Sequence, residues 1–172
     1  MNQSEALDIL KMGHNVFLTG PPGSGKTHVL NQYIEYLKEN GVSVAVTAST
    51  GIAATHLNGR TIHSWSGLGI RESLSKKEIK SLLRNTHLLS RIRSASILII
   101  DEISMLHSYQ FDLVDRICRE VRVSIQPFGG LQVVCSGDFF QLPPVQTRKT
   151  QSSKFAVESY VWNEMDISTC YL

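Results

Sequence analysis

Cysteine is scarce in this sequence: three in 172 residues. Cys118, Cys135 and Cys170 are odd in number, far apart and set among apolar neighbours. That pattern excludes a disulfide framework or a cysteine metal cluster and reads as buried thiols in a reducing compartment. Long apolar runs are also missing; none approaches the roughly 20 residues of a membrane span. The opening residues, Met1-Asn2-Gln3-Ser4-Glu5, lack the basic start and apolar stretch of a secretory signal. An intracellular, soluble protein with no membrane partner is expected. Charge of one sign is lacking too: 17 Lys and Arg face 15 Asp and Glu, a formal net charge of +2. That excess is too small to argue for nucleic acid. Two local groups, Arg84, Arg91 and Arg93, then Arg116, Arg119 and Arg122, read as solvated helix faces. The six histidines have no metal-ligand spacing. No repeat, low-complexity tract or interdomain linker is visible, and the apolar and charged fractions of 42% and 19% are ordinary for a globular protein. A single domain, residues 1–172, with a substantial core follows.

Glycine, by contrast, is concentrated where it carries chemistry. Gly20-Pro21-Pro22-Gly23-Ser24-Gly25-Lys26-Thr27 matches the phosphate-binding pattern G-x-x-x-x-G-K-[ST]. An apolar run, Val16-Phe17-Leu18, precedes it as a short buried strand. His28 to Glu39 follows, with Val29, Leu30, Tyr33, Ile34 and Leu37 at helical spacing. Strand, loop and helix in this order aim backbone N–H groups and a helix N-terminus at a polyphosphate. Lys26 can reach the β- and γ-phosphates, and Thr27 can offer its hydroxyl to Mg²⁺. Binding of a nucleoside triphosphate is the expectation.

Other segments alternate in the same manner. Residues 4–12 suggest a short helix and 42–47 a second strand; 52–57 suggest a helix, and 75–93 one or two helices. Ile97 to Ile100 reads as a strand covered on both faces. Gln110 to Arg122 reads as a helix striped by Phe111, Val114, Ile117 and Val121, and 131–135 as a fourth strand. Residues 143–156 read as a loop, 159–165 as a final helix and 168–172 as a last strand. Alternation of strands and helices predicts an α/β fold with a mostly parallel central sheet flanked by helices.

Asp101 and Glu102 sit directly after Ile97-Leu98-Ile99-Ile100, at the strand end where open α/β sheets place their ligands. In company with the phosphate loop, Asp101 would support the Mg²⁺ that Thr27 touches. Glu102 would orient and polarise the water attacking the γ-phosphate. An acidic N-cap of the next helix is the plainer reading of the same two residues. Gly137-Asp138-Phe139-Phe140-Gln141-Leu142-Pro143-Pro144-Val145 follows another strand. It is open to two readings, a proline-closed turn or a polar amide, Gln141, reporting on the γ-phosphate. Thr47 to Ala54 ends a strand and opens a helix at Thr50 or Gly51, which would serve as a plain cap or as a grip on a phosphate of a nucleic-acid backbone. Thr61-Ile62-His63-Ser64-Trp65 adds a histidine and an aromatic that read first as core.

Together, in order along nearly the whole chain, these segments resemble the petite-integration-frequency (PIF) family of superfamily 1 DNA helicases, close to its RecD-like branch. Ile100-Asp101-Glu102-Ile103-Ser104-Met105 and the Gly137 to Val145 stretch carry the resemblance more specifically than the phosphate loop does. The likeness implies a RecA-like P-loop NTPase domain whose fourth strand lies between the phosphate-loop strand and the Asp-Glu strand. It implies that Gln141 lies beside the nucleotide and that Gln3 reads adenine, making ATP the nucleotide. It further implies that Thr50, Gly51 and His63 line a track for single-stranded DNA held without regard to sequence.

The resemblance also implies a second RecA-like motor domain in cis, which brings arginines to the γ-phosphate and closes the DNA channel. The chain is therefore expected to be the first half of an ATP-dependent helicase acting 5′ to 3′ on single strands and forks. It is expected to bind Mg·ATP, to hydrolyse it slowly, and not to unwind duplex alone, since arginine fingers contribute roughly 10³–10⁵ in rate. The rival from another class is a self-contained P-loop kinase or switch ATPase that does not act on DNA. The arginine-bearing lid and acceptor pocket of such a kinase are not visible in the sequence.

Overall fold

The computed structural model describes residues 1–141, 144 and 154–172. Leu142, Pro143 and Val145 of the second signature, and most of the loop expected at 143–156, lie outside the described residues. In chain order the elements are α1 (Gln3–Lys11), β1 (Val16–Thr19), α2 (Lys26–Glu39), β2 (Val44–Ala48), α3 (Gly51–His56), β3 (Arg60–Thr61) and α4 (Ile62–Ser66). Then come α5 (Lys76–Leu82), α6 (Thr86–Ser94), β4 (Ile97–Asp101), α7 (Ser108–Arg122), β5 (Gln132–Ser136), α8 (Tyr160–Glu164) and β6 (Ser168–Tyr171). Short 3-10 turns occupy Ile103–Met105, Pro127–Gly130 and Ala156–Glu158.

Among the described residues, six strands form one sheet in the order β3-β2-β4-β5-β1-β6, and the pairings between them are parallel. The unbroken apolar run of β4 explains its central place: all five of its residues are buried. Successive side chains of a strand point to opposite faces. Leu98 and Ile100 accordingly enter the core shared with α6, α7 and α8, whereas Ile97 and Ile99 enter the core shared with α1 and α2. An aromatic group built from Phe17, Phe111, Phe139 and Trp162 fills the first core, with ring centroids 5.1 to 6.1 Å apart. Cys118, Cys135 and Cys170 are buried and unpaired, as expected. Burial pushes the thiols of Cys118 and Cys135 well above the ordinary range.

Two expectations change. The strand expected fourth is fifth, because Arg60-Thr61 adds a two-residue strand beside Thr47 and Ala48. So short a strand carries no alternating or apolar run to announce it. The arginine groups are not solvated faces: five of the six are fastened to backbone carbonyls. Arg91 Nε donates to the Trp65 carbonyl, Arg93 Nε to that of Val121 and Arg116 Nη1 to that of Leu74. Arg119 spans the Ile125 carbonyl and the carboxylates of Asp115 and Glu164. Arg122 reaches the carbonyls of Gly129, Ile92, Arg93 and Ala95. A guanidinium offers five donors in a rigid fork, which suits it to closing chain ends that leave several carbonyls unpaired.

Candidate nucleotide site

Parallel strands bring their C-terminal ends to one rim, and four of the predicted segments meet there. After β1 the chain turns through the glycine-rich loop into α2, whose N-cap, Gly25, has φ +98° in the left-handed region. A Cβ built on Gly25 would lie 2.0 Å from Gln3 Nε2, so both conformation and space demand glycine. The first helical hydrogen bond runs from Val29 N–H to the Gly25 carbonyl, at 3.0 Å. The N–H groups before it form the free positive end of α2. Lys26 Nζ folds over the loop and donates to the carbonyls of Gly20 (2.7 Å) and Pro21 (3.1 Å). Gln3, the first residue of α1, donates from Nε2 to the Ser24 carbonyl at 3.1 Å, which holds its amide against the outer side of the loop.

Across the loop is the exit of β4. Ser49 N–H donates to the Asp101 carbonyl (3.1 Å) and Ser49 Oγ to the Glu102 carbonyl (2.7 Å), tying the ends of β2 and β4 together. Thr47 Oγ1 adds a buried hydrogen bond to the Ile99 carbonyl. Glu102 has φ +53° and ψ +45°, a left-handed conformation that costs a non-glycine residue on the order of 1 kcal/mol. The turn carries the Glu102 side chain into a cleft of about 370 Å³, where Lys26, Thr27, Asp138 and Gln141 also converge. Pro22, Gly23 and Gly25 complete its wall. A second cleft of about 380 Å³ shares Thr27, Glu102 and Gln141 and extends to Asp101, Thr50 and His56.

Burial pushes the Asp101 carboxyl above its ordinary range, opposed by the Glu102 N–H and the charge of Lys26. Burial also raises Glu102, and the neighbouring Asp101 charge raises it further, with Lys26 opposing. Two carboxylates held close in a shielded place repel, and each would gain from a cation between them and the phosphate loop. The donor set, one hydroxyl and hard carboxylate oxygens, fits Mg²⁺, which takes its remaining ligands from phosphates and water.

Gln141 arrives from β5 through the turn at 137–141. Its Nε2 donates to Asp138 Oδ2 (3.0 Å), and Phe140 N–H donates to Asp138 Oδ1 (3.0 Å). These two donors hold Asp138 below the usual carboxylate range. The sequence motifs do not single out Asp138, although it carries a signal like that of Asp101, an acid close after a buried strand. A Cβ on Gly137 would stand 3.1 Å from the Ile103 backbone nitrogen, so the exits of β5 and β4 pack backbone to backbone.

The residues expected to touch DNA are less uniformly placed. Thr50 caps α3, its Oγ1 accepting from Ala53 N–H at 3.2 Å, and lines the second cleft; Gly51 beside it is exposed. His63 lies in α4, half-buried, hydrogen-bonded to Gln110, and lines neither cleft. Burial lowers its proton affinity, with Gln110 opposing. Among the described residues, no arginine lines either cleft.

The family model described as PIF1-like helicase matches residues 2–170. The chain belongs to the PIF1-like helicase family. Among its relatives, the ATP-dependent DNA helicase Pif1 of Psychrobacter sp. is 54% identical over all of this chain and 26% of its own length. The ATP-dependent DNA helicase PIF1 of Saccharomyces cerevisiae is 43% identical over 94% of this chain and 19% of its own. The chain thus spans about a fifth to a quarter of the length of these curated relatives. Among solved structures, Pif1 helicase from Candida albicans superposes with a TM-score of 0.92 at 38% identity, covering 99% of this chain and 38% of that one. Bacteroides Pif1 in complex with ADP-AlF3 and single-stranded DNA gives 0.85 at 31%, covering 99% and 41%. The RecA-like fold expected from the sequence is the fold of this PIF1-like chain, with β5 between β1 and β4.

Proposed function

We propose that residues 1–172 form the first ATP-driven motor unit of a DNA helicase that moves 5′ to 3′ along single-stranded DNA and opens forks. One observation carries this: Lys26, Thr27, Glu102 and Gln141, drawn from three separate strand exits, converge on a single cleft at the rim of the sheet. The relatives named as ATP-dependent DNA helicases, and the Bacteroides protein solved with a nucleotide mimic and single-stranded DNA, support the same reading.

In this reading the α2 amides and Lys26 hold the β- and γ-phosphates, with Lys26 exchanging its two loop carbonyls for phosphate oxygens. Thr27 and Asp101 hold Mg²⁺, which supplies charge neutralisation on the phosphates when bound. Glu102 orients the attacking water; its raised proton affinity keeps it able to accept a hydrogen bond strongly. Gln141 turns from Asp138 to the γ-phosphate and couples the nucleotide to the DNA side. Gln3, against the outer side of the loop, reads the adenine edge. Thr50, Gly51 and His63 contact the DNA strand, positioning it without reading its sequence.

Among the described residues no arginine lines the clefts; the charge that develops on the transferred phosphoryl group would be met from a second motor domain in cis. The chain alone then binds Mg·ATP, turns it over slowly and does not separate duplex. Melting curves with and without Mg·ATP test the nucleotide half. At about 100 times Kd, nucleotide should stabilise the folded chain by about 2.7 kcal/mol, a rise of roughly 5–10 °C, and Lys26→Ala should abolish it. An unshifted wild type rejects the nucleotide site. Binding to labelled oligo-dT and to duplex of equal length, with a non-hydrolysable ATP analogue, tests the other half. In the full-length protein, affinity for neither nucleic acid rejects the helicase and favours a kinase or switch ATPase.

A further inference from the structure

A cavity of about 580 Å³ shares no residue with the two rim clefts. It lies along the outer edge of β2, where β3 pairs only with Thr47 and Ala48 and leaves Val44 to Val46 as an open floor. Its lining contributes Lys38, Arg60, Arg91 and His87 and not one carboxylate. Among the described residues, none of Lys38, Arg60 and Arg91 forms an ion pair.

Arg91 is held in place. Its Nε donates to the Trp65 carbonyl (2.7 Å) and its Nη2 to the Ser64 carbonyl (3.0 Å), which fixes the guanidinium plane and leaves Nη1 without an acceptor among the described residues. Arg60, exposed at the start of β3, enters the same cavity from the opposite wall. Two like charges facing one partly shielded space repel, and the repulsion is relieved when an anion stands between them. Such a neighbour's effect is visible at Arg91, whose hold on its proton is weakened by burial and then by the Arg60 charge.

We propose that this cavity is a second oxyanion site, one that takes the phosphate group of a ligand other than the nucleotide bound at the phosphate loop. The match is chemical. Guanidinium forks bind the paired oxygens of a tetrahedral phosphate, and an ammonium adds a compact charge. The half-buried, preset Arg91 orders one fork in advance, while exposed Arg60 and Lys38 supply charge that closes over the ligand. The phosphate could belong to a free phosphate or nucleotide tail, or to a nucleic-acid backbone passing the open sheet edge.

The test uses the Lys26→Ala chain, in which the phosphate loop is disabled, and follows tryptophan fluorescence because Trp65 lines the cavity. Sodium pyrophosphate and unlabelled oligo-dT are titrated separately. A saturable response to at least one is expected, weakened tenfold or more by Arg60→Glu and about threefold by Lys38→Gln. Neither side chain makes a hydrogen bond or ion pair among the described residues, and unchanged melting curves would show both variants folded. Loss of affinity for pyrophosphate alone identifies a free phosphate or nucleotide tail. Loss for the oligonucleotide as well, with a shallower salt dependence, identifies a backbone phosphate. No saturable response to either ligand, or affinities that Arg60→Glu leaves unchanged, overturns the proposal.

Discussion

The side-chain amide of Gln141 donates to the carboxylate of Asp138 at 3.0 Å, so the group proposed to sense the γ-phosphate is fastened within its own turn. Asp138 also accepts from Phe140 N–H, which makes it the residue that shapes the turn.

The two residues should therefore act as a unit. Gln141→Ala and Asp138→Ala are each expected to slow ATP turnover roughly ten- to a hundredfold, with nucleotide affinity changed no more than about threefold. The double variant should be little worse than either single one, as coupled residues require. Single-turnover hydrolysis and nucleotide titration of all four chains check this; additive losses would separate the two roles.

Asp101 and Glu102 make the rim acid-sensitive in two opposite ways. Folding raises the proton affinity of both, so their ionised forms oppose folding. That cost is absent below the unfolded carboxylate pKa, about 4.3 for Glu, and fully present once pH exceeds the raised folded value. Glu102→Gln should accordingly raise the melting temperature at pH 7.5 by up to about 4 °C, and the gain should vanish near pH 4. Hydrolysis runs the other way. Its acid limb should lie above the ordinary carboxylate range in the wild type, and Glu102→Gln should remove most of the activity at every pH.

Arg122 closes four carbonyls at the junction of α6, α7 and the turn before β5. Arg122→Ala leaves Ile92, Arg93, Ala95 and Gly129 without that donor and should cost about 2–4 kcal/mol. Arg122→Lys should recover less than half, because an ammonium cannot reproduce the fork. Midpoints of urea unfolding at unchanged slope would show both effects.

Gly25 combines a left-handed backbone with a Gln3 amide in the space a methyl group would take. Gly25→Ala should destabilise the chain by about 1–2 kcal/mol and abolish the Mg·ATP shift. Adding Gln3→Ala should return part of the stability, from the relieved contact, and none of the nucleotide binding. Recovery of both would show that the backbone conformation matters less than the collision.

The sheet and the rim were legible in the sequence because their signals are local. Val16 to Thr27 writes strand, loop and helix in a dozen residues, and Ile97 to Ile100 is apolar enough to require burial on both faces. Less was legible where long-range contacts decide. Arg60-Thr61 becomes a strand only because β2 stands beside it, and no periodicity fits in two residues. The arginines of α6 and α7 look solvated when only their own helices are considered; Arg91, Arg93 and Arg122 each reach a carbonyl 26 to 30 residues distant. Asp138 was visible as a strand-end acid, but its service to Gln141 is a property of the turn. Resemblance groups His63 with Thr50 and Gly51, yet α4, which opens at Ile62, places it beside Gln110.

The contact of Gly137 against the peptide of Ile103 leaves no slack between two neighbouring exits of the sheet. Whatever displaces Gln141 pushes, through that junction, on the strained corner that aims Glu102. In the proposed function, detection of the terminal phosphate and placement of the hydrolytic water would thus be mechanically one event, joined before any signal leaves the rim.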